Sequence, residues 1–159
     1  MHFSLLVIAD GTKTLDDIMA PYMEGRAWEE GRDADAKWDW YVVGGRWRGT
    51  IGAKIGGYGE RSGYDFEKDP HDHSFGRFAR PCEDGRFDVV RVKDIEDLNP
   101  YWLHDMLTPD GVWHTSELYV PEGVDGKYFF NNTWFHDGFL ERIKERYPDC
   151  LAIVVDYHS

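Results

Sequence analysis

Two apolar runs, one near each end of the chain, most strongly constrain its fold. Residues 2–9 are almost continuously apolar, and residues 151–155 are apolar throughout. Unbroken apolar runs of this length are typical of strands that are covered on both faces. We therefore expect two buried strands that pair at the centre of one sheet.

Helical signals lie between these runs. Thr14 followed by Asp17 resembles a capping box, and the helix that it opens should be bent or shortened by Pro21. Further helices are predicted over residues 99–107 and 132–147 from an Asn-Pro start and a four-residue apolar spacing. The sequence thus predicts an α+β fold, with an antiparallel or mixed sheet and helices on one face. A ferredoxin-like arrangement is the topology that we expect.

An aromatic hairpin is predicted in the first third of the chain. Residues 38–43 and 46–51 are both β-prone, and Gly44-Gly45 separates them. Two glycines between such runs are a strong signal for a tight turn, because primed turns require positive φ.

The predicted hairpin is also the leading candidate for a ligand-binding surface. Strand alternation would place Trp38, Trp40 and Val42 on one face, opposite Asp39, Tyr41 and Val43. The candidate binding residues are Trp38, Asp39, Trp40, Tyr41, Arg46, Trp47 and Arg48. Tryptophan stacks on flat ligands and arginine binds phosphate in a bidentate manner, so this set suits a nucleotide. The alternative is that the tryptophans only cover the sheet, with Asp39 and Arg46 paired across the strands.

A glycine-rich segment over residues 52–86 follows, with few aliphatic side chains. A long irregular stretch inside a compact domain is usually a functional or mobile loop. It lacks the apolar residues for a core of its own, so we expect a single domain over residues 1–159 with this segment as an insertion.

Charge and cysteine content limit the partners. The formal net charge is −12, and the basic residues are scattered, which disfavours duplex nucleic acid as a partner through a basic face. Cys82 and Cys150 are too few for a disulfide scaffold or a zinc ribbon. The apolar start is too short for a signal peptide or a membrane span. We expect a cytoplasmic protein with no membrane partner, while the oligomeric state stays open.

Histidines supply the weaker candidate sites. His71 and His73 have a spacing at which two imidazoles reach one metal from a loop, although two such residues also arise by chance. A His-x-Ser pattern occurs at His2 and again at His114, and paired patterns of this kind resemble the signature of the 2H phosphoesterases. Imidazoles titrate near neutrality and can serve there as general base and acid.

The last strand adds two more catalytic candidates, Asp156 and His158, which fall on the same side if the strand continues. Solvated side chains near a chain end are the alternative. No nucleotide-cofactor or hydrolase signature follows a strand, so we expect no cofactor.

Three blocks carry a resemblance to a known group of proteins. They are Lys37-Trp38-Asp39-Trp40-Tyr41 with Gly44-Gly45-Arg46-Trp47, then Thr108-Pro109-Asp110-Gly111-Val112-Trp113-His114, and Val154-Val155-Asp156-Tyr157-His158. Together they resemble a family of small proteins encoded by tailed bacteriophages and prophages, whose members tend to have cysteine at position 157. The resemblance implies an accessory role in the host cytoplasm and favours a shared site at the Trp-Gly-Gly-Arg block.

Two functions are compatible with these features. The first is a non-enzymatic phage accessory protein, in a counter-defence role, that captures a nucleotide-type ligand or a host protein through the tryptophan-rich block. The second is a small phosphodiesterase or nucleotide hydrolase that uses His114 with a second histidine. The absence of a complete catalytic signature favours the first.

Overall fold

The two apolar runs form the centre of the sheet, as expected. The computed structural model describes residues 1–53, 85–98, 103–115, 117–119, 129–131 and 138–159. Strand β1 (His2–Ala9) pairs with the last strand, Leu151–His158, in antiparallel register from His2 opposite His158 to Ala9 opposite Leu151. Most side chains of both strands are buried, which explains why neither run alternates with polar residues.

Shorter strands extend this central pair on both sides. The described strands that follow β1 along the chain are β2 (Trp40–Val43), β3 (Ile51–Ala53), β4 (Val89–Arg91), β5 (Ile95–Leu98), β6 (Asp105–Leu107), β7 (Trp113–Thr115), β8 (Glu117–Tyr119), β9 (Phe129–Asn131) and the last strand, β10 (Leu151–His158). The main sheet has the order β2-β10-β1-β6-β7, and β4 also pairs with β10. Strand β6 runs parallel to β1, whereas the other pairs in this sheet are antiparallel.

The mixed sheet with helices confirms the predicted α+β class, whereas the ferredoxin-like arrangement is not confirmed. Two separate ribbons, β3 with β5 and β8 with β9, accompany the main sheet. Strand β7 is the last strand at one end of the main sheet, next to β6, which precedes it in the chain.

Helices lie on both faces of the sheet, so the prediction of helices on one face was wrong. Helix α1 (Leu15–Met19) packs with Leu5 and Val7 of β1. The last helix, α3 (Phe139–Arg146), packs with Leu6 and Ile8, which point the opposite way. Because β1 is apolar on both faces, each face requires its own cover.

The first helical segment follows its sequence signals closely. The Thr14 hydroxyl accepts a hydrogen bond from the Asp17 backbone N–H at 3.1 Å, as expected of an N-cap. Helix α1 ends at Met19, and Pro21 lies in a 3₁₀ turn before α2 (Glu24–Glu29) begins. Proline thus shortens the helix, as predicted.

The predicted helix over residues 99–107 was wrong at its end, because residues 105–107 form strand β6. Their side chains are buried, and they pair with Leu5–Val7 of β1. Tertiary pairing outweighs the local Asn-Pro signal here. Residues 99–102 lie outside the described residues.

The predicted hairpin was also wrong. Strand β2 pairs with β10, β3 pairs with β5, and the two do not pair with each other. Gly44 and Gly45 both have positive φ, but the chain then enters a 3₁₀ turn over Gly45–Trp47 instead of a second strand. The glycines serve a loop that wraps around buried carboxylates, described below.

Several predicted features lie outside the described residues. They are most of the glycine-rich segment, the candidate metal ligands His71 and His73, Cys82, and the start of the helix predicted over 132–147. Within the described ranges, no helix combines the length and apolar character needed to cross a bilayer.

Candidate functional site

Two histidine–aspartate pairs lie side by side where β1 and β10 pair at their polar end. The His2 Nδ1 atom donates to Asp156 Oδ1 at 3.0 Å, and the His158 Nδ1 atom donates to Asp39 Oδ1 at 2.9 Å. The two imidazole centroids are 5.3 Å apart. Antiparallel register places His2 directly opposite His158, so residues 156 positions apart in the chain become neighbours.

The two pairs differ in their exposure. The Asp156 carboxylate is almost fully buried, with 2% of its side chain exposed, whereas Asp39 is 48% exposed. The His2 side chain is 21% exposed and His158 35%. Both rings can therefore reach an incoming ligand while a carboxylate fixes the orientation of each. The hydrogen bond from His158 holds the pKa of the Asp39 carboxyl below its usual range.

Trp40 forms an aromatic wall beside these rings. Its indole stacks almost parallel to His158, with centroids 6.0 Å apart, and meets His2 edge-on at 5.2 Å. Trp40 is 43% exposed, and Val42 on the same side of β2 is 40% exposed. The result is an exposed aromatic and apolar surface that adjoins two imidazoles.

The Gly44–Gly45 loop closes over two buried carboxylates. Asp156 Oδ2 accepts from the Arg46 backbone N–H at 2.9 Å, and Asp88 Oδ1 accepts from the Gly49 backbone N–H at 2.7 Å. A Cβ atom at Gly45 would lie 2.5 Å from Asp156, and one at Gly44 would lie 2.7 Å from Asp88. Both positions require glycine because the carboxylates occupy the space of a side chain.

This loop therefore connects Arg46 to the histidine pair. Asp156 binds the backbone of Arg46 through one oxygen and the ring of His2 through the other. The Arg46 side chain is exposed and forms no ion pair with any residue that the structure describes. Arg48 is also exposed, 3.6 Å from the buried Asp88 carboxylate.

A second polar cluster lies deeper on the same face. The buried hydroxyl of Ser4 contacts the Nδ1 atom of His104 at 2.9 Å, and the Ser4 backbone N–H donates to the same nitrogen at 3.1 Å. Burial lowers the pKa of His104, which favours the neutral ring. Trp47 covers this imidazole edge-on at 5.1 Å, and its buried indole N–H has no hydrogen-bond partner among the described residues. This cluster positions β1 against β6.

The predicted binding residues thus separate into different environments. Trp38 is buried, its indole N–H donates to the Met19 carbonyl at 3.0 Å, and it packs with Tyr41 on the α1 face. Tyr41 is half-buried and hydrogen-bonded to Asp16. The expectation that Trp38 shares a face with Trp40 was wrong, because the strand begins only at Trp40, after a bend at residue 39.

Among the catalytic candidates, the structure brings together His2, Asp156 and His158, but not His114. Leu6 pairs with Met106, which pairs with His114, so His114 lies on the same face as His2. Strand spacing places its Cα roughly 16 Å from that of His2. The His114 Nε2 atom contacts the Thr108 hydroxyl at 3.2 Å, and burial lowers its pKa. Among the described residues, no three metal-ligating side chains converge.

Sequence reasoning missed Asp88, Ser4 and His104, and it left Asp39 among the hairpin residues. One signal was available for Asp88, a charged residue within the β-prone stretch 87–92. Ser4 similarly interrupts the apolar run of β1. The sequence offered no comparable signal for His104, whose role depends on contact with a residue 100 positions away.

The three sequence blocks that suggested phage relatives meet around β10. Val42 pairs with Asp156, and the Trp113 ring meets Tyr157 edge-on at 5.4 Å. Comparisons with protein-family models, with characterised proteins and with solved structures found no match. The assignment of this site therefore depends on its geometry.

Proposed function

We propose that this protein binds a nucleotide-type ligand at the surface formed by Trp40, Arg46, His2 and His158, hereafter the His–Trp surface. The observation that carries the proposal is an exposed indole stacked on one of two adjacent imidazoles. A nucleotide presents a flat base and an anionic phosphate, and these four side chains offer partners for both.

The indole of Trp40 supplies the stacking partner. Its 43% exposure leaves aromatic surface available, and its contacts with His2 and His158 restrict its orientation. Stacking of a base on an aromatic side chain contributes roughly 1–3 kcal/mol. A ring that is already held in place loses little conformational entropy when the base binds.

Phosphate would be bound by Arg46 together with the two imidazoles. The chain as a whole carries a net charge of −12, so an anion needs a local concentration of donors. Arg46 is exposed, and its backbone is held against the carboxylate that also orients His2. The buried carboxylate thereby fixes the positions of the groups that would donate hydrogen bonds to the phosphate.

The resemblance to phage-encoded proteins supports a proposal for the cellular role of this binding. We propose that the protein acts in the host cytoplasm as an accessory, counter-defence factor that captures its ligand. A host protein is the second candidate ligand, favoured by the exposed pair Trp40 and Val42 on β2, which ends the main sheet among the described residues.

Calorimetric titration with a panel of cyclic and linear mono- and dinucleotides tests the proposal. Trp40→Ala should weaken binding by about five- to 150-fold, the equivalent of roughly 1–3 kcal/mol. Trp28→Ala is the matched control, because Trp28 is also an exposed indole, at 56%, and lies on helix α2. It should bind as the unmodified protein does.

Substitution of Arg46 provides a second, independent test of the same proposal. Arg46→Ala should abolish measurable binding without lowering the unfolding temperature, whereas Arg26→Ala on α2 should have no effect on affinity. Wild-type affinity in both Trp40→Ala and Arg46→Ala would remove the His–Trp surface from the ligand site. If no nucleotide binds and Val42→Glu abolishes capture of a host protein, the second candidate replaces the first.

A further inference from the structure

We propose that the two histidine–aspartate pairs cleave a phosphodiester bond of the bound ligand by general acid–base chemistry. This inference rests on the proposed function, since it assigns an activity to the same His–Trp surface. It differs from the sequence-based hydrolase hypothesis in its histidines, which are His2 and His158 instead of His114.

The first argument is the distance between the rings. Centroids 5.3 Å apart allow both imidazoles to hydrogen-bond to oxygens of a single phosphate group. The rings are inclined at 73° to each other, so they are not stacked. Their ring nitrogens can therefore approach a shared ligand from two directions.

The second argument is that each ring is oriented in the same way. Both Nδ1 atoms donate to carboxylates, Asp156 for His2 and Asp39 for His158, so Nε2 is in each ring the nitrogen that can act on a ligand. A carboxylate that fixes the tautomer of a histidine is a recurrent device of acid–base catalysis.

The third argument assigns the roles. The Nε2 atom of His158 lies 3.1 Å from the main-chain nitrogen of Met1, a donor, so this Nε2 carries a lone pair while Nδ1 carries the proton given to Asp39. The attacking water would replace the Met1 donor at this lone pair. His158 is accordingly the base. His2, next to the buried carboxylate of Asp156, is the acid.

The proposed reaction is hydrolysis, with water as the co-reactant. His158 Nε2 takes a proton from water, and the water oxygen forms a bond to phosphorus. The bond from phosphorus to the leaving oxygen breaks with its electron pair, and His2 Nε2 donates a proton to that oxygen. The products are a phosphomonoester and an alcohol, and proton exchange with solvent restores both rings. The exposed Arg46 guanidinium would contact the phosphate oxygens, where charge accumulates.

Turnover of bis(p-nitrophenyl) phosphate and of cyclic and linear dinucleotides, measured with and without EDTA, tests this inference. His2→Gln and His158→Gln should each lower kcat by about 100-fold or more. His114→Gln is the matched control, because it removes an imidazole from the same sheet face at a distance. It should leave turnover unchanged. Thermal unfolding of each variant verifies that the sheet is intact.

The carboxylates are positioning residues and need a separate measurement. Asp39→Asn should lower kcat with little change in KM, because it leaves the phosphate contacts in place but no longer fixes the His158 tautomer. An equal effect on KM, or an effect only through lower stability, would contradict this role.

The possible outcomes distinguish the inference from the proposed function. Turnover in EDTA that disappears in His2→Gln and His158→Gln, but not in His114→Gln, supports the inference. Nucleotide binding without turnover of any phosphodiester overturns the inference and leaves the binding proposal intact. Turnover that is lost in EDTA, or lost equally in His114→Gln, also overturns it. A protein that neither binds nor cleaves nucleotides overturns both proposals.

Discussion

Adjacent residues of β10 point to opposite faces of the sheet. Each face contains a buried carboxylate, and the two carboxylates have different hydrogen-bond partners. On the α1 face, the Tyr157 hydroxyl donates to the buried Asp105 carboxylate, within a packed aromatic cluster. On the other face, the buried Asp156 carboxylate binds the partly exposed His2 and the backbone of Arg46. We call these the closed face and the open face.

The difference lies in what the carboxylate orients. Both members of the Asp105–Tyr157 pair are buried, and burial raises the pKa of the Tyr157 phenol, so the phenol keeps its proton. The Asp156–His2 pair ends in an imidazole that solvent and ligand can reach. A buried carboxylate therefore holds a buried phenol in the first case and orients a solvent-accessible imidazole in the second.

The largest expected effect separates two tryptophans that are only two positions apart. Trp38→Ala removes a buried indole from the closed face, along with its hydrogen bond to Met19, and should lower the free energy of unfolding by about 3–5 kcal/mol. Trp40→Ala on the open face should lower it by less than about 1 kcal/mol. Urea unfolding followed by circular dichroism measures both. Equal losses would show that the open face is as tightly packed as the closed one.

The next test concerns the loop that encloses Asp156. Gly45→Ala should destabilise the protein by about 2–3 kcal/mol, because φ is +54° and the new Cβ would lie 2.5 Å from Asp156. Gly25→Ala is its matched control on helix α2. No atom lies within 4 Å of the added Cβ there, so this change should stabilise the helix by up to about 1 kcal/mol. Unchanged stability of the Gly45→Ala variant would mean that the loop does not pack against the carboxylate.

A smaller effect is expected from the closed carboxylate pair. Tyr157→Phe removes the phenol donor from the buried Asp105 and should lower the free energy of unfolding by about 1–3 kcal/mol. Ligand affinity should not change, since Tyr157 points away from the His–Trp surface. Calorimetric titration beside urea unfolding separates the two effects. A loss of affinity at full stability would make the closed face part of the site.

The smallest effect distinguishes a half-buried histidine of the open face, His104, from the other side chains of that face. Burial lowers the pKa of His104 below its ordinary value of 6.5, with the charge of Asp105 opposing the shift. The unfolded chain therefore binds a proton before the folded one does, and stability should fall as the pH drops through about 6.5. One such group contributes at most about 1.4 kcal/mol per pH unit.

Unfolding measured at a series of pH values from 8 to 5 checks this direction, and His104→Gln should reduce the slope. His114, whose pKa is lowered in the same direction by burial, accounts for part of the slope that persists. A slope that is identical in His104→Gln would contradict a lowered pKa of His104.

Local signals in the sequence located several elements correctly. The unbroken apolar runs identified β1 and β10, and Thr14 identified the start of α1, because burial on both faces and helix capping depend on residues close together in the chain. The aromatic block was predicted to form a hairpin. Its hairpin was wrong because the two glycines met every local requirement of a turn while serving contacts with Asp88 and Asp156.

The sequence by itself therefore determined the α+β class, the two central strands and the residue types available for a site. Only the tertiary structure decided that Trp38 enters the core while Trp40 faces outward, and that His2 meets His158. The physical reason is that strand register and long-range packing join residues from opposite ends of the chain. Side chains such as Asp156 and His2 acquire their chemistry from those contacts, and no local pattern encodes them.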